Sequence, residues 1–101
     1  MHYLLFYEKA PDYSERQAPL SAAHLAYLQV AVRQGTLMLG GSLADPVDGS
    51  AVLLLKADSL TAVEAFAAAD PYVVGGIVCQ WRVRTWQTVV GEGADAPLPD
   101  A

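Results

Sequence analysis

The most constraining feature of this sequence is the order in which short apolar runs alternate with two segments of helical periodicity. Residues 2–8 are largely aromatic and aliphatic and contain no breaker, which is typical of a strand. The polar, proline-containing residues 9–19 follow as a loop. A first helix is expected from about Pro19 to residue 34, with Ser21 as its candidate cap and Gly35 as its stop. Its inward stripe, at helical spacing, is Leu25, Leu28 and Val32.

The middle of the chain predicts two further strands joined by a turn. Residues 36–43 form the second strand, where Gly40 and Gly41 allow a bulge or a close approach of the backbone. A turn at residues 45–49 leads into the third strand, residues 52–56. The unbroken Val-Leu-Leu-Leu run of this strand predicts that both of its faces are covered.

A second helix and a fourth strand complete the pattern. The helix is capped by Asp58 or Ser59 and ended by Pro71, and its inward stripe is Leu60, Val63, Phe66 and Ala67. Residues 77–90 alternate as a strand, with Cys79, Trp81 and Val83 on one side and Gln80, Arg82 and Arg84 on the other. Residues 91–101 have neither periodicity nor bulk, so we expect one domain over residues 1–90 and a flexible C-terminal tail.

The order β-α-β-β-α-β predicts an α+β fold of the ferredoxin-like kind, a four-stranded antiparallel sheet with both helices on one face. The other face of such a sheet is bare. Because the predicted strands are apolar at successive positions, this face exposes an apolar surface that a second copy of the chain would cover. We therefore expect an isologous homodimer packed sheet to sheet.

Composition excludes several classes of partner. Hydrophobic residues are 53% of the chain and charged residues 17%, which again favours a partner subunit. The net charge of -5 opposes nucleic acid, and the six Lys and Arg residues form no basic stripe. No apolar run is long enough to span a membrane, and the amino end lacks signal-peptide features, so a cytoplasmic protein is expected. A single cysteine and two distant histidines predict neither a disulfide nor a metal site.

Two ionisable residues are candidates for chemistry. His24 is expected on the inward side of the first helix, although a lone histidine there is often structural. Asp70 continues the inward stripe of the second helix, although an Asp-Pro pair also ends helices by bonding the backbone of Tyr72 or Val73. Since both helices cover one face of the sheet, a His24–Asp70 dyad is geometrically feasible.

Other residues are candidates for binding substrate. The small-residue segment ending in Gly41 and Ser42 can admit a ligand, and its amides or the Ser42 hydroxyl can donate to a substrate oxygen. Arg16 lies in the loop before the helix of His24 and can clamp a carboxylate. Tyr72 and the other strand aromatics can line a pocket, although core packing is the alternative.

Short motifs along residues 1–90 resemble the YCII-related family. These are Tyr3-Leu-Leu-Phe-Tyr, Tyr13-Ser-Glu-Arg16, His24-Leu-Ala-Tyr-Leu28, Gly35-Thr-Leu, Gly40-Gly-Ser-Leu43, Gly49-Ser-Ala-Val-Leu-Leu-Leu and Asp70-Pro-Tyr72. The resemblance implies a dimeric α+β barrel with a His/Asp site at His24 and Asp70 and a serine at Ser42. It also implies similarity to cofactor-free dehydrochlorinases and to muconolactone isomerases. The family often carries a further arginine between Arg16 and the histidine, a region that Gln17, Leu20 and Ser21 occupy in this chain.

The leading hypothesis is a cofactor-independent enzyme for proton-transfer elimination or isomerisation of a small cyclic or aromatic molecule. In it, His24 is the general base and acid, Asp70 orients the imidazole, and Ser42 stabilises an enolate-like oxygen. The alternatives are a non-catalytic module that binds a small metabolite or assists another enzyme, and a cofactor-free oxygenase on the same barrel fold.

Overall fold

The computed structural model describes residues 1–99 and contains the predicted βαββαβ order with two additional short helices. The elements are β1 (His2–Lys9), α1 (Tyr13–Arg16), α2 (Ala18–Arg33), β2 (Leu37–Ser42), β3 (Ala51–Lys56), α3 (Leu60–Ala69), α4 (Pro71–Val74) and β4 (Val78–Trp86). Helix α1 lies where the sequence predicts only a loop. It is a single turn, supported by the Arg16–Asp12 ion pair at 3.3 Å across four residues.

The four strands form one antiparallel sheet in the order β2-β3-β1-β4. The central strand β1 pairs with β3 on one side and β4 on the other, so the first strand of the chain lies between two strands from its second half. With the long helices on one face, this is the ferredoxin-like arrangement, and the predicted fold is confirmed at that level. None of the helices within residues 1–99 is both long and apolar enough to cross a bilayer.

Alternation along the central strands separates the sheet into a helix-covered face and an open face. Tyr3, Leu5 and Tyr7 of β1 are buried beneath the helices, together with Leu53 and Leu55 of β3. The intervening residues, such as Phe6 and Leu54, point to the open face and are half-buried. Within a single chain only one face of β3 is therefore covered. That a second copy of the chain covers the other face remains a prediction.

The inward face of α2 differs from the predicted one. Leu25 and Val32 are each 54% exposed, whereas Ala31 is buried and Leu28 packs against the core. Alanines on this helix make it apolar on more than one side, so periodicity is a weak guide to the buried face. Ser21 is also not the cap, because it lies inside the helix and its hydroxyl donates to the Gln17 carbonyl at 2.9 Å.

The second long helix follows its prediction more closely. Ser59 is the N-cap of α3, and its hydroxyl accepts from the Ala62 amide at 3.2 Å. Val63 and Ala67 are buried as predicted. Leu60, the first residue of the helix, is 43% exposed and is not part of the buried stripe.

Two register shifts move residues from their predicted positions. Lys9 pairs with Val78 while Glu8 pairs with Gln80, which leaves Cys79 as an extra, exposed residue outside the Trp81–Val83 row. A similar shift in β2 falls between Leu37 and Leu39, before the glycine pair. Gly40 itself lies where the backbone closely approaches another strand, one of the two explanations predicted for the glycine pair. A Cβ at this position would lie 3.3 Å from the Leu53 side chain.

Strand β4 ends at Trp86 rather than at residue 90, and the chain then folds back on itself. The Ala96 amide donates to the Thr88 carbonyl at 3.2 Å, and the Leu98 amide donates to the Val89 carbonyl at 2.8 Å. The predicted tail begins inside this turn. Its mobility remains a prediction, and residues 100 and 101 lie outside the described part of the chain.

Candidate functional site

The Asp70-Pro71 pair determines where the site forms. A residue before proline is driven out of the helical region, and Asp70 accordingly has φ -63° and ψ 129° between α3 and α4. Pro71 then begins α4, as proline commonly does at a first helical position. This break turns the Asp70 side chain into the protein interior, where it is fully buried.

His24 reaches the same point from α2. Its Nδ1 lies 2.7 Å from Oδ1 of Asp70, and the imidazole side chain is 17% exposed. The predicted dyad is therefore present as a geometric pair. The capping alternative is present as well, because the Tyr72 amide donates to the same Oδ1 at 2.9 Å.

The Asp70 carboxylate accepts a hydrogen bond from a third donor. The Tyr7 hydroxyl donates to Oδ2 of Asp70 at 2.8 Å within the core. An ionised carboxylate only accepts hydrogen bonds, so Nδ1 of His24 is the donor in this contact and Nε2 is the ring nitrogen that Asp70 does not engage. Within residues 1–99, every fully buried side-chain nitrogen and oxygen has a hydrogen-bond partner.

The imidazole is held on its face as well as on its edge. The His24 and Tyr72 rings are stacked, with centroids 3.8 Å apart and planes 4° from parallel. The Ser21 hydroxyl donates to the Gln17 carbonyl and so accepts from the Tyr72 hydroxyl, 2.8 Å away. The orientation of His24 is thus determined by contacts from α2 and α4 together.

Burial and charge keep the neighbouring tyrosines protonated. Burial raises the pKa of Tyr7, and the charge of Asp70 and the hydrogen bond to it raise that pKa further. Burial, and to a smaller extent Asp70, also raises the pKa of Tyr27, whose hydroxyl donates to the Phe66 carbonyl at 2.7 Å. Tyr7 therefore remains a hydrogen-bond donor to Asp70 throughout the physiological range.

The remaining predicted site residues are distributed differently. Arg16 is engaged by the Asp12 carboxylate at 3.3 Å and the Gly75 carbonyl at 3.1 Å, so its guanidinium ties α1 to the end of α4. Ser42 shares a cross-strand row with Tyr7 but lies two strands away, about 10 Å by strand spacing. Gly41, one residue earlier, faces the open side of the sheet. The roles predicted for Ser42, Gly41 and Arg16 remain predictions.

Two supporting residues were missed by the sequence interpretation. The sequence indicates Tyr7 only as one of several aromatic residues that can line a pocket or the core, and Ser21 only as a helix cap. A signal for Tyr7 exists, because alternation places it on the buried face, where its hydroxyl requires a partner. No sequence signal distinguishes Ser21 as a partner of Tyr72, because their contact joins two helices 51 residues apart.

Three shallow cavities of 300 to 330 Å³ lie along the open face and the C-terminal turn. One of them reaches Tyr7, but neither His24 nor Asp70 is among the residues that line these three. In the described part of the chain, no three His, Cys, Asp or Glu side chains are grouped as metal ligands. The expectation of no cofactor remains a prediction.

Sequence comparison shows the family. A sequence model described as the YCII-related domain matches residues 1–87. This chain belongs to the YCII-related family. Proteins named YciI from Escherichia coli and Shigella flexneri are each 32% identical to it over 98 residues, covering 88% of this chain and 99% of theirs.

Solved structures show the same fold. The 5-chloro-2-hydroxyhydroquinone dehydrochlorinase TftG of Burkholderia phenoliruptrix, in complex with 2,5-dihydroxybenzoquinone, matches with a TM-score of 0.74 and 24% identity. The match covers 94% of this chain and all of TftG. A protein of Agrobacterium tumefaciens matches with a TM-score of 0.53 and 12% identity, over 94% of this chain and 98% of its own.

Proposed function

We propose that this protein is a cofactor-independent enzyme in which His24 transfers protons during the elimination or isomerisation of a small cyclic or aromatic molecule. The observation that carries the proposal is the 2.7 Å contact between His24 and a buried Asp70 that three donors hold in place. This arrangement leaves Nε2 as a base of defined orientation. Asp70 is the residue that positions it.

The proposed elimination needs only proton transfer. A proton from a ring hydroxyl group of the substrate passes to Nε2 and is returned to the ring carbon that bears chlorine, which makes that carbon tetrahedral. A second hydroxyl group then loses its proton to Nε2, its electron pair forms a C=O bond and shifts the ring double bond, and chloride leaves with its bonding electrons. The imidazolium later loses its proton to water. In an isomerisation no group leaves, and His24 returns the proton to a different atom. Tyr72, stacked on the imidazole, is proposed to border the substrate, and Ser42 to approach its oxygen.

The relatives support this class of reaction. TftG has the same fold and is a dehydrochlorinase whose complex contains 2,5-dihydroxybenzoquinone, a flat oxygenated ring. A ring of that kind suits a site bordered by the parallel His24 and Tyr72 rings.

The test is turnover of 5-chloro-2-hydroxyhydroquinone, followed by chloride release, with a panel of related hydroxylated rings. We expect His24→Ala and His24→Gln to reduce kcat/KM by roughly 10² to 10⁴, the range for loss of a general base. The matched control is His2→Gln, which alters the other histidine, hydrogen-bonded to Thr88 at 2.6 Å on the opposite face of the sheet. Full activity in His24→Ala on any substrate that the wild type converts contradicts the mechanism.

A non-catalytic binding module is the second candidate, and one contact favours it. Oδ1 of Asp70 accepts from the Tyr72 amide, which is the contact of a purely structural helix cap. A binding module retains its ligand affinity in His24→Gln and consumes no substrate, so the same protein preparations distinguish the two functions.

We also propose that the protein is a cytoplasmic homodimer that associates through its open sheet face into an α+β barrel. Apolar side chains support this proposal, since Leu39 is 71% exposed and Trp86 is 45% exposed on that face. Leu4, Phe6 and Leu54 lie between them on the central strands.

A further inference from the structure

Lys9 places a positive charge beside the proposed active site. It follows Tyr7 by two residues at the end of β1, so alternation brings its side chain to the helix-covered face. Its ammonium lies 5.9 Å from the centroid of the Tyr72 ring, the ring that stacks on His24. It also lies 5.1 Å from the centroid of the Tyr13 ring.

The neighbouring loop fixes the second of these rings. Gly49 has φ +87°, and a Cβ built on it would lie only 2.7 Å from Cε1 of Tyr13. The Tyr13 ring therefore rests directly on the backbone of the loop between β2 and β3. Lys9 is thus cradled by two aromatic rings whose positions are set by packing.

The Lys9 ammonium takes part in no ion pair within the part of the chain that the structure describes. Among residues 1–99, no carboxylate oxygen comes within 4.0 Å of its ammonium. The nearby Arg16 differs, because Asp12 and the Gly75 carbonyl occupy its guanidinium. Lys9 accordingly has hydrogen-bond donors to offer a ligand, in a chain whose net charge of -5 otherwise repels anions.

We infer that Lys9 is a specificity-determining residue that selects substrates carrying an anionic oxygen on a flat ring. This inference rests on the proposed function and names the substrate class of that same site. The ammonium binds the carboxylate, phenolate or enolate oxygen, while the ring lies near Tyr72 within reach of His24. Lys9 also opposes the protonation of a phenolate or enolate formed during turnover.

The test compares two flat probes of nearly equal shape, benzoate and benzamide, which differ by one charge. Each is titrated at low ionic strength into the wild type, Lys9→Met, Lys9→Arg and Lys56→Met, with the His24 ring resonances followed by NMR. Lys56 is the other lysine of the chain and lies exposed at the far end of β3, which makes it a matched control. Circular dichroism of each variant confirms that it is folded.

We expect the wild type to bind benzoate roughly fivefold more tightly than benzamide, the upper end of the range for a partly screened ion pair. Lys9→Met loses this preference, Lys9→Arg retains most of it, and Lys56→Met retains all of it. Added salt weakens benzoate binding in the wild type and has little effect on Lys9→Met.

Equal affinities for the two probes in the wild type, or a preference that survives in Lys9→Met, overturn the inference. So does benzoate that leaves the His24 resonances unmoved. Because the measurement requires no turnover, its failure is separate from that of the proposed function. If the protein prefers benzoate but converts no substrate, the inferred anion-binding role of Lys9 stands and the proposed enzymatic function is wrong.

Discussion

The two faces of the sheet differ in how they treat polar and apolar groups. On the helix-covered face, Asp70 and the Tyr7 hydroxyl are buried, and each has a hydrogen-bond partner. On the open face, Leu39 and Trp86 are exposed although they are apolar. The covered face thus buries polar groups, which costs free energy unless they are hydrogen-bonded. The open face exposes apolar side chains, which is unfavourable in water.

This difference assigns separate tasks to the two faces. A buried carboxylate with three donors is preorganised, because its geometry does not change with the solvent. An exposed apolar sheet face is instead suited to association, since covering it removes hydrocarbon from water. Substitutions on the covered face should therefore change stability and activity within one subunit, and those on the open face should change assembly.

The largest effect is expected from Asp70→Ala. Removing the carboxylate leaves the Tyr7 hydroxyl, Nδ1 of His24 and the Tyr72 amide without their partner. We expect the free energy of unfolding in urea to fall by about 3 kcal/mol or more, because each buried donor that loses its acceptor costs about 1 to 3 kcal/mol. The exposed Asp58→Ala is the control and should stay within about 0.5 kcal/mol of the wild type. Equal stability of the two variants would remove the distinction between the faces.

A smaller effect, on assembly rather than folding, is expected from Leu54→Asp. Leu54 lies on the open face between Leu4 and Leu39, where a carboxylate would be buried in the proposed dimer. We expect the dimer dissociation constant to rise by roughly 30-fold or more, the effect of losing an interface hot spot. Sedimentation velocity measures it. Leu25→Asp, on the exposed side of α2, should leave the dimer intact; a monomeric wild type would refute the assigned role of the open face.

The smallest effect is expected from Tyr7→Phe, and it depends on pH. At pH 7 this variant should unfold about 2 kcal/mol more easily, because it lacks one hydrogen bond to a charged acceptor. Burial raises the pKa of Tyr7 in the folded protein, so above pH 10 the unfolded chain ionises first and stability is lost. The gap between wild type and Tyr7→Phe should narrow by about 1.4 kcal/mol per pH unit there. A gap that stays constant from pH 7 to pH 11 would contradict the burial of this hydroxyl.

Individual elements show which structural features the local sequence pattern predicts correctly and which it does not. The order of strands and helices was predictable because periods of about 2 and 3.6 residues record which side of each element is apolar. The inward face of α2 was predicted incorrectly, since Leu25 and Val32 satisfy the period yet lie in solvent. The bulge at Cys79 was missed because one extra residue in a strand leaves no compositional trace.

The sequence by itself determined the fold class, the family and the break at Asp70-Pro71, because periodicity and the proline ring act over a few neighbouring residues. Only the tertiary structure decided that His24, Asp70 and Tyr7 meet, and that Lys9 lies beside Tyr72 and Tyr13. The physical reason is distance along the chain. His24 and Asp70 are 46 positions apart in the sequence, and Tyr7 and Asp70 are 63 positions apart. Such contacts depend on how whole helices and strands pack, and no local preference encodes that packing.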